Sequence, residues 1–453
     1  MRLDRLIFAF LFTMLLLVGP VLPQTVNEVA SPAIAAVNRE RGLSMLDDIK
    51  DIMKERYYDK TFHGIDLDAR FKTAKERVKK MDFNWQIFRV IAQVVLDFDD
   101  SHTTFLPPNR ANSVEYGFSM QMIGANCYVI DVKKGSDAEA KGVKPGDAVI
   151  AVGQYGPTRQ NLWRLNYLLY ALDPQQSIKL ILAAPNGPER EIEVKATFKS
   201  IEDRKKEAEK HRKDKREDPY RCQKVNSESI ACKLKTFSVE KKFIDRMMTE
   251  ASAYKKLILD LRGNRGGLVS IEEYLTGFFF DHDVKIATFI RREKPKDAIG
   301  KSRGDRIFKG DLVVLIDSNS ASASEVFARV MQIEKRAKII GDTSAGAVMT
   351  SNFFTLANVR GVSSMATVSF FGLNLTVADL IMSDGNRLEK VGVIPDQPAR
   401  PTGFALQNKM DPVLAYAASL LGAKLSAEET GDFHFITKKE EVDDDDEADD
   451  GDG

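Results

Sequence analysis

The sequence has few of the residues that build metal centres. Its 453 residues include only five histidines. His282 stands between Asp281 and Asp283, but no second group of ligands at helical or loop spacing accompanies it. We therefore predict that the protein uses no metal and no cofactor.

Cysteine is equally scarce, with three in the chain. Cys222 and Cys232 bracket an interval that contains Asn226 and Ser227, which is typical of a turn between two strands. A hairpin disulfide between them is feasible in an oxidising compartment. Cys127 lies in an apolar strand-like run and is predicted to be a small buried residue rather than a nucleophile.

The chain also lacks net charge, because 66 basic residues balance 66 acidic ones. This balance is an average over unlike parts, since residues 440–453 carry ten acidic residues and no basic one. The positive excess of the remaining chain is too dispersed to predict nucleic-acid binding. The acidic end, residues 438–453, is predicted to be a solvated, disordered tail.

A long apolar run, Leu6 to Leu22, follows the charged N-terminal residues and ends beside Gly19 and Pro20. Its 17 residues are at the short limit for a membrane span. Residues 1–25 are therefore predicted to be a signal peptide, and the protein is expected in the periplasm or outside the cell. An uncleaved N-terminal anchor, which would attach the protein to a membrane, is the alternative.

Length and hydrophobic patterning predict about three domains of mixed structure. Residues 36–110 show helical apolar spacing and predict a helical bundle, and residues 114–197 show short strand patterns. A charged linker is predicted at 198–220, and residues 221–425 alternate strands and helices, as in a parallel sheet with covering helices. The fold class is thus α/β, within a multi-domain α+β chain. Elements predicted in the last segment are helices at Met247–Tyr254, Ile271–Phe280, Val326–Ile333 and Pro412–Leu421, and strands at Leu257–Leu261, Leu312–Ile316 and Ala337–Ile340.

A cluster of small hydroxyl residues, Ser320 to Glu325, lies between the strand-like run Leu312–Ile316 and the helical pattern from Val326. A strand-to-helix turn of this kind can hold a nucleophile. Small residues let a substrate approach closely, and the free N–H groups of a helix start can stabilise an oxyanion. The structural alternative is a serine-rich N-cap, in which Ser322 or Ser324 satisfies the first helical amides.

Three further motifs accompany the serines in a specific order. A buried-strand pattern ends in a glycine-rich turn at Leu257–Gly267, Gly341-Asp342-Thr343 follows a second apolar strand, and Val391–Asp396 comes later. The order resembles that of the tail-specific and C-terminal processing serine peptidases, over about residues 46–421. The resemblance implies a ClpP/crotonase-like αβ protease core.

Motif by motif, the resemblance implies that Ser322 is the nucleophile and that the amides of Gly267 and Ala323 form the oxyanion hole. One departure is important. Peptidases of the Ser-Lys kind carry a lysine in a Gly-Lys-Gly segment after the serine, where a desolvated amine acts as base. This chain has Ala347 there, so another base operates or the enzyme is inactive.

The segment Leu96 to Thr104 offers a replacement base, His102. Histidine is the side chain whose ordinary pKa best suits proton transfer near neutral pH. Tricorn-like core peptidases have a similar Asp-Ser-His-Thr segment, whose Ser-His pair joins the nucleophile and a distant glutamate in a tetrad. The resemblance implies that His102 is the base, Ser101 helps to orient it and Glu389 is the acidic member.

Residues 114–197 resemble a PDZ domain inserted before the protease core. The turn Gly142–Asp147 followed by the run Ala148–Val152 carries this resemblance. The segment Tyr116-Gly117-Phe118-Ser119 matches the PDZ loop whose backbone amides hold a peptide's terminal carboxylate. A small β-domain with only a packing role is the alternative.

Together these features predict an exported serine endopeptidase of the carboxyl-terminal-processing type. Its expected partners are protein or peptide substrates, recruited through their C-termini at the PDZ domain. Two alternatives stay open at this stage. One is a catalytically inactive PDZ-bearing scaffold or hydrophobic-ligand-binding protein of the same fold. The other is a Ser-Lys dyad that uses Lys335 or Lys338.

Overall fold

A computed structural model describes residues 31–108, 112–200, 202–206, 218–360 and 367–436. The predicted signal peptide (residues 1–25) and acidic tail (residues 438–453) lie outside the described residues, as does most of the predicted linker. The described helices include none with the length and apolar character that crossing a bilayer requires.

The elements are numbered along the chain. The helices are α1 (Pro32–Arg56), α2 (Leu67–Val78), α3 (Asn84–Leu96), α4 (Asp137–Ala140), α5 (Leu162–Tyr167), α6 (Lys241–Ala251), α7 (Val269–Thr276), α8 (Ala323–Ile333), α9 (Gly403–Gln407), α10 (Pro412–Leu420) and α11 (Ala427–Gly431). The strands are β1 (Thr104–Leu106), β2 (Asn112–Glu115), β3 (Phe118–Ile123), β4 (Asn126–Val132), β5 (Ala148–Val152), β6 (Ser177–Ala183), β7 (Glu189–Lys195), β8 (Thr197–Ser200), β9 (Tyr220–Lys224), β10 (Ser229–Leu234), β11 (Lys256–Asp260), β12 (Val284–Arg291), β13 (Lys296–Gly300), β14 (Asp311–Ile316), β15 (Lys338–Gly341), β16 (Thr350–Arg360), β17 (Thr367–Met382) and β18 (Gln397–Pro398).

Helices α1 to α3 form a bundle whose apolar faces meet in one core. Ile49 of α1, Phe71 of α2 and Ile91 of α3 are fully buried in it, as the helical spacing predicts. The bundle also packs on the buried face of β17. After α3 the chain turns through Asp99, whose φ is 53°, and enters β1, which pairs with β17. This turn places residues 101 and 102 against the rest of the molecule.

Strands β3 to β7 form a separate antiparallel sheet in the order β3-β4-β5-β6-β7, with β3 at one edge. The sheet has its own core, which includes Val129, Leu180 and Val194. Strands β2 and β8 pair with each other beside it. The structure therefore contains a small β unit where the sequence predicts one, and its identity as a PDZ domain stays a prediction.

The central sheet has the order β18-β15-β14-β11-β10-β9, and its neighbours are parallel except β9 with β10. Alternate residues of β11 point to opposite faces. Leu257 and Leu259 belong to the core on one face, and Ile258 belongs to the core that α10 covers on the other. Burial on both faces explains the continuous apolar strands. The predicted mixed α/β class is confirmed.

A second sheet joins the bundle to the central unit, in the order β1-β17-β12-β13, with β16 also paired to β17. Strand β16 runs antiparallel to β17 along its length.

Two predicted helices differ in their bounds from the observed ones. The predicted helix Met247–Tyr254 is α6, which begins earlier at the polar Lys241, and the predicted helix Ile271–Phe280 is α7, which ends at Thr276 before Gly277. The prediction for α6 followed the apolar residues and missed the polar first turn of the helix. The prediction for α7 continued through the phenylalanines that follow the end of the helix.

Candidate active site

Ser322 lies at the junction of β14 and α8, in a strained backbone conformation. Its φ is 55° and its ψ is −121°, which is uncommon for a residue with a side chain and typical of functional sites. Its amide donates to the carbonyl oxygen of Ala347 at 2.8 Å. Gly266 packs against it so closely that a Cβ added there would lie 2.7 Å from the Ser322 Cβ. Only glycine fits at position 266.

The two predicted oxyanion-hole residues directly follow a contacting pair: Gly267 follows Gly266, and Ala323 follows Ser322. Ala323 is the first residue of α8, so its amide has no intrahelical acceptor. Gly267 has φ 147°, and an added Cβ would lie 2.3 Å from the Ser238 nitrogen, which fixes glycine here as well. Within the part of the chain that is described, neither amide donates a hydrogen bond.

Ser101, His102 and Glu389 form one hydrogen-bonded chain. The Ser101 hydroxyl lies 2.7 Å from His102 Nδ1 and 2.8 Å from Glu389 Oε2. The Ser101 amide also donates to Glu389 Oε1 at 2.9 Å. A hydroxyl has one proton, and an ionised carboxylate can only accept. The Ser101 proton therefore goes to Glu389, Nδ1 carries the ring proton, and the lone pair is on Nε2.

Burial sets the charge states of this chain. Desolvation lowers the pKa of His102 below its ordinary value, and the nearby Asp100 charge opposes that shift. Burial raises the pKa of Glu389, while hydrogen bonds from Val348 and Ser101 oppose the rise. The lowered pKa of His102 favours the unprotonated imidazole, which is the form that a general base requires.

One short segment connects the histidine chain to the serine. The Val348 amide donates to Glu389 Oε2 at 3.1 Å, and the neighbouring Ala347 carbonyl accepts the Ser322 amide. Among the described residues, His102 and Ser322 make no hydrogen bond to each other. Catalytic hydrogen bonds are often loose in a substrate-free site and tighten when substrate binds.

The structure argues against a lysine base at the two positions suggested by the sequence. Ala347 stands beside Ser322, where the lysine of a Ser-Lys enzyme is expected. Lys335 and Lys338 lie beyond the far end of α8 and are exposed. That helix has 11 residues, which corresponds to about 16 Å. Neither amine is placed near Ser322.

Two buried acids that the sequence analysis did not select hold the site together. The first is Asp100, which directly precedes Ser101. Its carboxylate accepts five hydrogen bonds, from Tyr57 Oη, the His102 amide, the Thr103 amide and hydroxyl, and the Thr376 hydroxyl, at 2.6–3.0 Å. It thereby ties the histidine loop to α1 and β17. The sequence signals this residue only by its place directly before Ser101, His102 and Thr103.

The second is Glu325, in the first turn of α8. Its carboxylate accepts four hydrogen bonds, from the Ser322 amide (3.0 Å), the Ser344 hydroxyl (2.6 Å), the Gly346 amide (2.7 Å) and the Ala347 amide (2.9 Å). Burial raises its pKa to about 7, and these hydrogen bonds oppose that rise. Ser322 followed three residues later by Glu325 is a capping-box pattern, which is the signal that could have identified it.

A buried ion network supports the glycine-rich turn. Arg262 donates to both oxygens of Asp411 at 2.9 and 2.7 Å, and to Asp260 at 3.0 and 2.7 Å. Asn264 then donates to the Leu234 carbonyl at 3.0 Å. These contacts hold residues 262–267 against the central sheet and fix the approach of Gly267 to the serine turn.

The other predicted site residues lie away from this cluster. The Tyr116 hydroxyl bonds to the Gln175 backbone, Gly117 has φ 75°, and Phe118 and Ser119 begin the edge strand β3. Cys222 and Cys232 form a disulfide between paired positions of β9 and β10, and Cys127 is buried. In the described ranges, no three histidine, cysteine or acidic side chains are grouped to hold a metal ion.

Comparisons with known proteins show sequence similarity to processing peptidases. Residues 231–399 match the sequence model of Peptidase family S41. The chain is 25% identical over 380 residues to the chloroplastic C-terminal processing peptidase of Tetradesmus obliquus, covering 76% of this chain and 74% of that protein. It is 23% identical over 407 residues to the carboxyl-terminal-processing protease of Picosynechococcus, covering 81% and 86% respectively.

Solved structures share the fold. Mature CPAF in complex with lactacystin aligns with a TM-score of 0.62 at 14% identity, over 88% of this chain and 99% of that chain. The photosystem II D1 C-terminal processing protease aligns with a TM-score of 0.50 at 21% identity, over 80% and 93%. The family match also includes the turns that carry Gly267 and Ser322. The chain thus resembles the peptidases of family S41 over residues 231–399 and is a serine-type peptidase.

Proposed function

We propose that the protein is an exported endopeptidase of the carboxyl-terminal-processing type, in which Ser322 is the nucleophile and His102 the base. One observation carries the proposal. Ser101 and Glu389 fix the His102 ring, and Glu389 is in turn bonded to the segment that holds the Ser322 amide. A polar chain of this kind supplies the orientation that a general base needs.

The reaction follows from these positions. His102 Nε2 removes the Ser322 proton as the hydroxyl oxygen attacks the scissile carbonyl. The Gly267 and Ala323 amides stabilise the resulting oxyanion, and each such donor is typically worth about 3 kcal/mol. The imidazolium then protonates the leaving amine. Water, activated by the same nitrogen, hydrolyses the acyl-enzyme, while Glu389 and Ser101 support the positive ring.

We further propose that the sheet β3–β7 is a PDZ domain that recruits substrate C-termini. The support is that β3 is an edge strand and that Gly117, with positive φ, directly precedes it. An extended peptide can add to such an edge by main-chain hydrogen bonds. Export is supported by the predicted signal peptide and by the Cys222–Cys232 disulfide, since disulfides persist in oxidising compartments.

The test is active-site labelling together with peptide hydrolysis. We expect a fluorophosphonate probe to modify Ser322, and we expect Ser322→Ala to lower hydrolysis by at least about 10³-fold without unfolding. His102→Ala should abolish both labelling and hydrolysis, because the hydroxyl loses its base. Lys335→Ala and Lys338→Ala serve as matched controls and should retain both. Folded wild-type protein that takes up no probe would instead favour the inactive scaffold or ligand-binding protein.

A further inference from the structure

Arg265 lies in the glycine-rich turn, directly before the glycine that packs against Ser322. Its side chain is exposed, and within the described residues it makes no hydrogen bond and no ion pair. The nearby Arg262 is the opposite case, since Asp260 and Asp411 occupy its guanidinium. A cation left unpaired beside a reaction centre is available to a ligand.

The position of Arg265 is fixed by its two neighbours. The Asn264 carbonyl accepts the Ala321 amide at 3.0 Å and the Ser324 hydroxyl at 2.8 Å. On the other side, Gly266 packs against Ser322. Arg265 stands between these two contacting residues, and consecutive Cα atoms are about 3.8 Å apart. The Arg265 backbone is therefore held close to the serine turn. Its side chain projects from this fixed turn into solvent.

Other charges around the site do not neutralise it. Lys390, next to Glu389, pairs with Asp99, and Arg164 pairs with the same carboxylate at 3.3 Å. Those two cations already share one acid. The two buried carboxylates of the site, Asp100 and Glu325, already accept hydrogen bonds from neighbouring groups. The exposed charges described here are therefore mainly positive.

We propose that Arg265 is a specificity residue that binds a carboxylate of the peptide substrate within a few residues of the scissile bond. The inference rests on the proposed peptidase function. A guanidinium matches a carboxylate with two parallel hydrogen bonds. The carboxylate belongs either to an acidic side chain or to the substrate's C-terminus, and the peptides in the test separate these two sources.

The experiment uses full-length enzyme and internally quenched peptides that are matched in pairs. Each pair carries glutamate or glutamine at one position on either side of the cleaved bond, and a further pair ends in a free carboxylate or an amide. We expect one acidic pair to favour the carboxylate by about tenfold in kcat/KM. In Arg265→Gln that ratio should fall to about one, and Arg265→Glu should favour a lysine peptide at the same position.

Two controls sharpen the result. Lys294→Gln removes an exposed cation in the turn between β12 and β13 and should keep both the ratio and the rate. A chain ending at Lys439 lacks the ten acidic residues of 440–453 and shows whether these carboxylates compete for Arg265. The inference about Arg265 is overturned if kcat/KM is equal within every pair, or if a preference survives in Arg265→Gln. Either result leaves the proposed peptidase function in place. Failure of the wild-type enzyme to cleave any peptide overturns the proposed function with it.

Discussion

Asp100 determines where the proposed base can be. The residue is almost fully buried and receives hydrogen bonds from α1, from β17 and from its own loop. It does not bond to the imidazole ring, but it bonds to the His102 amide. Its charge also acts on the ring through space, because it opposes the lowering of the His102 pKa. Asp100 is therefore a positioning residue with an electrostatic effect.

Asp100→Asn tests both roles. The asparagine amide points an N–H group at donors that the carboxylate accepted. The histidine loop then loses part of its support, and we expect kcat/KM to fall about tenfold or more. Removing the negative charge lowers the pKa of His102, and the base stays neutral to a lower pH. The acid limb of the kcat/KM profile should therefore move to lower pH.

Tyr57→Phe is the matched control for Asp100→Asn. It removes one donor at 2.8 Å and leaves the Asp100 charge in place. We expect a smaller loss of kcat/KM and no downward shift of the acid limb. If the acid limb of Asp100→Asn also stays in place, Asp100 has a structural role only.

The candidate site was partly predictable at the level of single residues. The strand-to-helix turn around Ser322 follows from local patterns, and the family resemblance added Ser101, His102 and Glu389. The resemblance implied that these residues lie together, but it did not specify that the Ser101 hydroxyl bonds to Glu389, 288 residues away. The full set of donors around Asp100 and Glu325 was not predictable either, because several of them come from distant segments, such as Tyr57 and Thr376 for Asp100 and Ser344 for Glu325.

Helix α7, which follows the glycine-rich turn, carries a buried acid. Glu272 accepts one hydrogen bond, from the Thr276 hydroxyl at 2.9 Å. Burial raises its pKa from 4.5 to about 8. Between pH 4.5 and about 8 the folded protein therefore keeps Glu272 protonated, whereas the unfolded chain has lost this proton. The free energy of unfolding therefore decreases as pH rises from 4.5 towards about 8.

Glu272→Gln should remove that pH dependence, because glutamine keeps the shape and the acceptor but does not ionise. We expect the variant to match the wild type near the ordinary glutamate pKa and to be more stable by a few kcal/mol above about 8. Urea unfolding across this range measures the difference. Glu240→Gln, on the exposed start of α6, is the control and should leave the slope unchanged. A slope that persists in Glu272→Gln rules out this source.

Elements with one clear apolar face were predicted well, and the β16–β17 hairpin was not predicted. The strands β11 and β14 were also predicted, because both of their faces are buried and each contains a continuous apolar run, Leu257–Leu259 and Leu312–Ile316. In the hairpin, Phe354 and Phe371 contribute to the bundle core, while Phe353 and Phe370 are 59% and 58% exposed. Aromatic residues on both faces hide the two-residue alternation that identifies a half-buried strand.

At the scale of the molecule, the sheet β3–β7 and the central unit meet at Asp342. This buried carboxylate accepts the Gly124 amide at 2.8 Å and Arg400 Nε at 2.7 Å, and it pairs with Arg159. The same contact area includes Gln121, which donates to Asp317 at 2.8 Å. These partners are far apart in sequence, so no local pattern predicts how the two units are arranged.

Asp317 connects this junction to the serine turn. Its Oδ1 accepts the amides of Gly263, Asn319 and Ser320 at 2.9–3.0 Å, and its Oδ2 accepts Gln121. One carboxylate thus contacts the small sheet, the glycine-rich turn and the segment leading to Ser322. The β3–β7 sheet and the serine turn are therefore connected through the hydrogen bonds of one carboxylate.

Arg159→Ala tests how firmly the two units are joined. The change removes the Asp342 pair and the hydrogen bonds to the Gly124 and Thr343 carbonyls, at 2.9 and 3.0 Å. Because Arg400 still neutralises the buried carboxylate, we expect a loss of about 1–3 kcal/mol in the free energy of unfolding. Amide exchange should accelerate at Gly124 and remain slow in the central strand β14. Lys179→Ala, which breaks an exposed ion pair on the same sheet, should change neither quantity. Equal acceleration in β14 would mean that the two units unfold as one.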